Sequence, residues 1–314
     1  MIELEGVSKF YGQHRAIEGV NLRIGKGEIV GLLGLNGAGK STILKIIGTY
    51  LAPSAGEISV DGYSVKRDPE AVRARIGFLP DHPPLYKEMT VRDFLIYVTA
   101  LKDVPAGNRQ EAVARAIERT NLGEVAGRRL SDLSHGYRQR VGIAQALVHQ
   151  PPVIILDEPI NGLDPIQIVE MRDLILSLKG DHTVILSSHI LSEITRTCDR
   201  IMIIDQGRLV AEGAEQSLKS NAIEQFEVHL QWRAGEGILA KIRDLNGVLK
   251  AGEPDVIDGV QHVQVNCQGD MRHELANTVI NGGGQLLGLS RKENNLESLF
   301  LELVKGTDGE GAHE

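Results

Sequence analysis

The chain has 314 residues, with 34 basic and 42 acidic side chains and a formal net charge of −8. This length predicts about two domains, since a domain usually has roughly 100 to 200 residues. The acidic balance argues against a protein whose main partner is a nucleic-acid backbone, because that affinity comes from Lys and Arg that neutralise phosphates. We therefore expect no nucleic-acid partner.

The longest apolar runs, such as residues 153–156 and 201–204, are far shorter than the roughly 18 residues that a membrane-spanning helix needs. The first residues, MIELEGVSKFYG, do not follow the pattern of a secretory signal. The two cysteines, Cys198 and Cys267, lie far apart in apolar patterns, which favours buried free thiols in a reducing cytosol over a disulfide. We expect a chain without a membrane span or a secretory signal.

Strands alternate with helices over roughly the first 220 residues, which predicts an α/β domain over residues 1–220. The runs VIILD and TVILSS are apolar almost throughout, as strands of a parallel sheet are when both faces are covered. The predicted strands are residues 2–7, 28–33, 57–60, 76–79, 153–157, 183–187 and 200–205.

A mostly helical insertion at about residues 85–150 interrupts this alternation. Thr90 and Asp93 form a helix start signal. The apolar residues that follow share one face at helix spacing; they are Phe94, Leu95, Val98 and Leu101.

After Gly213 a polar stretch leads to a second unit, predicted over residues 221–305. Alternating apolar residues predict strands near 226–232, 263–267 and 286–289, and helix spacing predicts helices near 238–245, 275–280 and 296–303. This β-α-β-β-α-β order predicts a small α+β domain of the ferredoxin-like type. Residues 306–314 are predicted to be a disordered tail.

The segment GLNGAGKST, residues 34–42, matches the pattern G-x-x-x-x-G-K-[ST] between an apolar strand and a helical run. Its glycines let successive backbone N–H groups point at one phosphate chain, at the positive end of the following helix. The alternative is a glycine-rich turn without a ligand. However, Lys40 is at the position expected to reach the β- and γ-phosphates, and Ser41 at the position expected to hold Mg²⁺. The predicted nucleotide-binding residues here are Gly34, Asn36, Gly37, Ala38, Gly39, Lys40, Ser41 and Thr42.

The strand VIILDEP supplies the carboxylates that such a site needs. Asp157 is expected to hold Mg²⁺ through its water shell, and Glu158 to polarise an attacking water. The glutamate directly after the aspartate indicates hydrolysis rather than binding alone.

Between these elements lies LSHGYRQRVGIAQAL, residues 133–147, and here the sequence resembles the ATP-binding subunits of ABC transporters. The resemblance covers about residues 1–215. It implies a P-loop NTPase with a RecA-like core, an antiparallel β subdomain and a helical insertion, with ATP and Mg²⁺ as cofactors. It also implies a head-to-tail homodimer that encloses two ATP molecules.

The resemblance assigns roles to further residues. In the signature, Ser134, His135 and Gly136 are expected to face the ATP that the other protomer binds. Tyr11 is expected to stack on adenine, and His189 to touch the γ-phosphate as the second catalytic residue beside Glu158.

Asp164, in the sequence NGLD, matches a loop that crosses the dimer interface. Because Pro165 follows it, Asp164 is equally a helix cap, and both roles can hold together.

Two positions depart from the family pattern. Asp81 stands where Gln, or in some members Glu, is usual, and its shorter anionic side chain is expected to meet Mg²⁺ or its water. His135 stands where glycine is common, and Tyr137 where glutamine is common. We expect a working site with altered contacts, and a rate that His135 makes sensitive to pH near neutrality.

The resemblance favours the ATPase subunit of an exporter of the ABC-2 type, located peripherally at the cytoplasmic face of the membrane. A separate integral-membrane permease is the expected partner, docked near Asp81 and residues 82–100. Tyr86, Met89 and Phe94 are candidate contacts for this permease.

Two alternatives stay open. One is an importer subunit whose C-terminal domain senses substrate. The other is a soluble regulatory ATPase that acts on ribosomes or DNA, for which the best argument is a basic cluster that is more often a solvated or interface surface; it comprises Arg128, Arg129, Arg138 and Arg140.

Overall fold

A computed structural model describes residues 1–221 and 226–291 of the chain. The chain divides into two compact units, Met1–Ala214 and Glu215–Glu314. Among the described residues, none of the helices has the length and apolar character needed to cross a membrane. Both cysteines are free thiols; Cys267 is buried and Cys198 is partly buried.

The first unit alternates strands and helices along the chain. Its strands are β1 (Ile2–Tyr11), β2 (His14–Ile24), β3 (Ile29–Leu33), β4 (Ala55–Val60), β5 (Tyr63–Ser64), β6 (Ile76–Leu79), β7 (Val153–Leu156), β8 (Thr183–Ser188), β9 (Arg200–Asp205) and β10 (Arg208–Gly213). Its α-helices are α1 (Lys40–Ile47), α2 (Pro69–Ala74), α3 (Val91–Leu101), α4 (Arg109–Arg119), α5 (His135–Leu147), α6 (Pro165–Ser177) and α7 (Leu191–Thr197). The predicted strands all fall on members of this set.

Strands β1, β2, β4 and β5 form an antiparallel sheet in the order β2-β1-β4-β5. The sequence pattern does not predict β2, and the register explains why. Val7 pairs with Val20, but Lys9 pairs with Ile17, so β2 carries an extra residue at this point. Gly19, with a φ of +59°, lies in this bulge and breaks the alternation of buried residues.

The second sheet of this unit has the order β10-β9-β3-β8-β7-β6, in which β10 pairs antiparallel with β9 and the other pairs are parallel. Every residue of β3, β7 and β8 is buried, as the apolar runs predict for strands covered on both faces. The parallel strands all end at the same edge of the sheet. The loops that follow β3, β6, β7 and β8 therefore meet there.

Helices α3, α4 and α5 form the helical insertion around a core of their own. Thr90 caps α3 as predicted, with its hydroxyl accepting from the backbone N–H of Asp93 at 3.1 Å. Phe94 and Leu95 are fully buried in this core, which contributes roughly 1.5–3 kcal/mol each.

Leu101, on the same apolar face, is the last residue of α3 and is 62% exposed. The expectation that Phe94 contacts a partner was wrong. Phe94 is a core residue with 1% exposure, so its ring cannot be a surface contact for a partner.

The second unit is described over residues 215–221 and 226–291. Its elements are α8 (Glu215–Asn221), β11 (Phe226–Arg233), α9 (Ile238–Arg243), β12 (Val248–Ala251), β13 (Asp255–Ile257), β14 (Val260–Cys267), α10 (Arg272–Asn281) and β15 (Gln285–Arg291). The antiparallel sheet has the order β12-β14-β11-β15, and β13, which the sequence pattern does not predict, pairs with β14. Helices α9 and α10 share one buried cluster with the sheet, around Trp232.

The ferredoxin-like assignment of this unit stays a prediction. The predicted helix near residues 296–303 and the predicted tail at 306–314 lie outside the described residues.

Candidate functional site

The loop between β3 and α1 folds around the ammonium group of Lys40. This group donates hydrogen bonds to the carbonyl oxygens of Gly34 at 2.8 Å and Leu35 at 3.2 Å. Gly39 precedes Lys40 with a φ of +106°, and a Cβ atom there would lie 2.8 Å from the carbonyl oxygen of Ala16. Only glycine fits this conformation and this close approach. The loop thus combines a buried lysine with backbone N–H groups at a helix start, which is the arrangement that binds phosphate.

Asp157 follows β7 directly and is buried behind this loop. Its Oδ1 atom accepts hydrogen bonds from the hydroxyls of Ser41 at 3.0 Å and Ser187 at 2.7 Å. Burial raises the pKa of Asp157, the two hydroxyl hydrogen bonds lower it, and the carboxylates of Glu158 and Asp81 raise it further. A cation beside Ser41 and Asp157 would relieve this concentration of negative charge, and hydroxyl and carboxylate oxygens are ligands that Mg²⁺ prefers.

Both the backbone N–H and the carboxylate of Glu158 make contacts with neighbouring residues. Its backbone has a φ of +49°, in the left-handed region, and its N–H donates to Ser187 Oγ at 2.9 Å. One carboxylate oxygen lies 3.4 Å from Lys40 Nζ, and the other lies 3.0 Å from Nδ1 of His189. A non-glycine residue keeps such a backbone conformation only where its surroundings enforce it, and such residues cluster at functional sites.

Lys40, Ser41, Glu158 and His189 line a cleft of about 610 Å³, which we call the nucleotide cleft; Asp157 lies buried behind its lining. Its lining includes most of the predicted site residues, namely Tyr11, Asn36, Gly37, Gly39, Lys40, Ser41, Thr42, Asp81, Glu158 and His189. Of the other predicted loop residues, Gly34 contributes its carbonyl to Lys40 and Ala38 is buried.

Four residues of the nucleotide cleft were missed by the sequence analysis; they are His14, Ala16, Leu35 and Asn161. Ser187, which joins Asp157 to the backbone of Glu158, was also missed. Its place next to Asp157 follows from the parallel pairing of β7 with β8, which brings Leu156 beside Leu186, and no local sequence pattern shows that pairing.

The predicted signature residues lie outside the nucleotide cleft of their own chain. Ser134 caps α5 by accepting from the N–H of Tyr137 at 3.4 Å, and His135 and Gly136 begin the helix. Asp164 caps α6, accepting from the N–H groups of Ile166 at 3.0 Å and Gln167 at 2.9 Å.

The signature loop and the loop before α6 touch each other. Nε2 of His135 lies 3.0 Å from the carbonyl oxygen of Asn161, and a Cβ atom on Gly136 would lie 2.6 Å from the side-chain oxygen of Gln167. We call residues 134–136 together with residues 161–164 the signature region.

The arginines of the basic cluster make contacts within the first unit. Arg128 and Arg138 donate to the carbonyl oxygens of Asp132 at 3.0 Å and Leu133 at 2.6 Å. Arg140 forms an ion pair with Glu170 of α6. These contacts brace the signature loop and account for part of the cluster without a nucleic-acid ligand.

A strand, a phosphate-binding loop and a helix in this order, with carboxylates at the end of a neighbouring parallel strand, define a P-loop NTPase. The family model described as ABC transporter matches residues 17–161. The chain is 31% identical to the bacitracin transport ATP-binding protein BcrA of Bacillus licheniformis over 314 aligned residues, 98% of each chain. It is 36% identical over 249 residues to the daunorubicin resistance ATP-binding protein DrrA3 of Streptomyces coeruleorubidus, 79% of each chain. The chain belongs to the family of ABC transporter ATP-binding proteins.

A solved structure of a dimeric ATP-binding cassette in a post-hydrolysis state, bound to ADP and Pi, matches this fold with a TM-score of 0.62. The two chains are 28% identical, and the match covers 68% of this chain and 98% of the other. The resemblance inferred from the sequence and the P-loop NTPase fold are thereby confirmed. The protein is an ATP-binding subunit of an ABC transporter, and it is an ATP hydrolase.

Proposed function

We propose that this chain powers export through a separate membrane permease, as a homodimer held peripherally at the cytoplasmic face of the membrane. The observation that carries the proposal is the separation of two half-sites in one chain. The nucleotide cleft has a phosphate loop and a catalytic carboxylate, while Ser134 and Gly136 lie outside it. A head-to-tail dimer would bring the signature region of each protomer to the ATP in the other protomer's cleft.

The relatives support export as the direction of transport. BcrA, named for bacitracin transport, aligns with 98% of this chain, so the likeness includes the second unit as well as the ATPase unit. DrrA3 is named for resistance to daunorubicin. We propose a cargo of the kind that these two names give, which leaves the cell through the permease.

In the proposed reaction, ATP binds with its phosphates in the loop around Lys40 and its adenine on the exposed ring of Tyr11. Mg²⁺ would be held by Ser41 and, through its water shell, by Asp157 and Asp81, and when bound it would neutralise charge on the phosphates. Burial first, and the carboxylates of Glu158 and Asp81 after it, raise the pKa of Asp157, and a cation at this position would offset both effects.

Glu158 is the proposed general base and His189 the residue that orients it. The carboxylate of Glu158 accepts from Nδ1–H of His189, which leaves Nε2 of the imidazole to meet a phosphate oxygen or the attacking water. Lys40 Nζ lies 3.4 Å from the other oxygen of this carboxylate, and a carboxylate acts as a general base by accepting a proton from water.

Permease docking is proposed at a groove of about 470 Å³ that shares Asp81 with the nucleotide cleft. Leu85 lines this groove, and nearby Tyr86 is 52% exposed and stacks edge-on against Tyr97. Aromatic side chains at a surface supply large contact areas at small entropic cost, which suits a docking site. Met89 is partly buried against the insertion core and is a weaker candidate.

Glu158→Gln tests this function, with Glu70→Gln as a control at an exposed glutamate in the first turn of α2. We expect Glu158→Gln to bind Mg-ATP, to hydrolyse it at least about 100-fold more slowly, and to form an ATP-dependent dimer. Captured from its native membranes with Mg-ATP, it should bring down a multi-span membrane protein, and Glu70→Gln should behave as the parent.

Hydrolysis by Glu158→Gln at the parent rate would overturn the catalytic assignment. Recovery of soluble proteins or nucleic acid alone, with ATP-locked dimers confirmed in the same sample, would overturn the transport assignment in favour of a regulatory ATPase.

A further inference from the structure

The imidazole of His135 contacts the backbone of a loop 26 residues away in the same chain. Nε2 lies 3.0 Å from the carbonyl oxygen of Asn161. Since a carbonyl oxygen only accepts, Nε2 carries the hydrogen and donates it. The neighbouring Gly162, with a φ of +72°, would place a Cβ atom 3.3 Å from Nε2, so the glycine leaves room for this approach.

Asn161 belongs to the turn that carries the catalytic carboxylate. Its N–H donates to the carbonyl oxygen of Glu158 at 3.1 Å, which closes the turn from residue 158 to residue 161. Because Glu158 has a positive φ, its conformation needs restraint from outside the residue. Ser187 restrains the N–H of Glu158, and His135 restrains the carbonyl at the far end of the turn.

Two further contacts join α5, which begins at His135, to α6, which follows the turn at Glu158. Gln167 of α6 packs against Gly136, and Arg140 of α5 pairs with Glu170 of α6. The two helices are therefore linked at their first turns by Gly136 and Gln167, and further along by the Arg140–Glu170 ion pair. A displacement of the signature loop would be passed to the turn at Glu158 through the imidazole.

We propose that His135 is a positioning residue for Glu158 of its own chain. Through Asn161 it holds the catalytic carboxylate in line with the γ-phosphate of the ATP in the same chain's cleft. When the signature loop of this chain contacts the ATP in the partner's cleft, it would thereby set the position of Glu158 in this chain's own cleft. This inference rests on the proposed function, because it takes Glu158 as the general base and the head-to-tail dimer as the active form.

The first test compares His135→Ala, which removes the donor, with His135→Gln, whose amide N–H keeps one. For the loss of one hydrogen bond that acts on the reaction, we expect His135→Ala to lower kcat about three- to tenfold with KM for ATP changed less than about twofold. His135→Gln should recover most of this loss. His273→Ala, at an exposed histidine of α10, is the control and should match the parent.

The second test uses mixed dimers, because His135 could instead act on the partner's ATP. One subunit keeps Glu158 and the other carries Glu158→Gln, so that chemistry occurs in the cleft of the first subunit alone. His135→Ala is then placed in either subunit, and ATP cleavage is measured in a single turnover, which does not require the dimer to reopen.

We expect His135→Ala to slow cleavage when it shares a chain with the intact Glu158, and to leave the rate within about twofold when it is in the other chain. An equal loss in both placements, or a loss only in the chain with Glu158→Gln, would overturn the inference and assign His135 to the partner's ATP. Rapid hydrolysis by the Glu158→Gln homodimer would instead overturn the proposed function, and the two failures are thus distinguishable.

Discussion

The nucleotide cleft and the signature region hold their side chains by different means. In the cleft, Asp157 and His189 directly follow the buried parallel strands β7 and β8, and the phosphate loop follows β3. In the signature region, helix caps and contacts between two loops fix the positions of Ser134, His135 and Asp164. A change in the cleft should therefore remove chemistry, whereas a change in the signature region should adjust geometry and association.

The largest effect should come from Lys40→Ala, which removes the cation at the centre of the phosphate loop. We expect ATP binding to weaken strongly and kcat/KM to fall by at least about 100-fold, since charge stabilisation by one such group is worth that much. Lys45→Ala, at an exposed position in the last turn of the same helix, should stay within about twofold of the parent. Isothermal titration with ATP and a phosphate-release assay measure both, and near-parental hydrolysis by Lys40→Ala would refute the role of the loop.

Asp157→Asn separates catalysis from stability within the cleft. Burial raises the pKa of Asp157, so its ionised carboxylate destabilises the folded protein at neutral pH. An asparagine oxygen at this position can still accept hydrogen bonds from Ser41 and Ser187. We expect the variant without nucleotide to be more stable than the parent at pH 7, with metal-dependent hydrolysis lost.

The pH dependence of this gain has a definite sign. Because the folded pKa of Asp157 lies above its unfolded value, folding takes up a proton between the two values, and the parent gains stability from this group as pH falls through that window. The advantage of Asp157→Asn should shrink below the folded pKa and vanish near pH 4, about the ordinary aspartate pKa. Thermal unfolding from pH 4 to 7 measures it, with the exposed Asp173→Asn as the control; an advantage that grows on acidification would contradict this account.

The sequence predicts the nucleotide cleft better than the signature region, because the cleft residues directly follow strands and the signature residues are placed by tertiary contacts. The phosphate loop, Asp157 and His189 are predictable because they directly follow strands whose apolar runs are evident. Ser187 was missed because its role depends on which strand β7 pairs with, and pairing is a tertiary property. The contact between His135 and Asn161 joins two loops that are 26 residues apart in the chain, and no local periodicity predicts it.

The helical insertion shows the same limit. Helix spacing identifies the apolar face of α3, but it does not tell which residues the neighbouring helices cover. Phe94 lies in the insertion core, whereas Leu101 at the end of the helix is exposed.

The smallest effect, and the one that best sharpens the comparison, should come from two helix caps, one in the signature region and one in the helical insertion. Asp164→Ala and Thr90→Ala each remove the side-chain acceptor at a helix N-terminus, which should cost about 1 kcal/mol of stability in either case. If the loop before α6 also crosses the dimer interface, Asp164→Ala alone should weaken ATP-dependent dimerisation of the Glu158→Gln protein, severalfold in the dissociation constant. Chemical denaturation compares the caps, and sedimentation with Mg-ATP compares dimerisation. Equal dimerisation by the two variants would mean that Asp164 serves only its own helix, and the trans role of the signature region would then depend on Ser134 and Gly136.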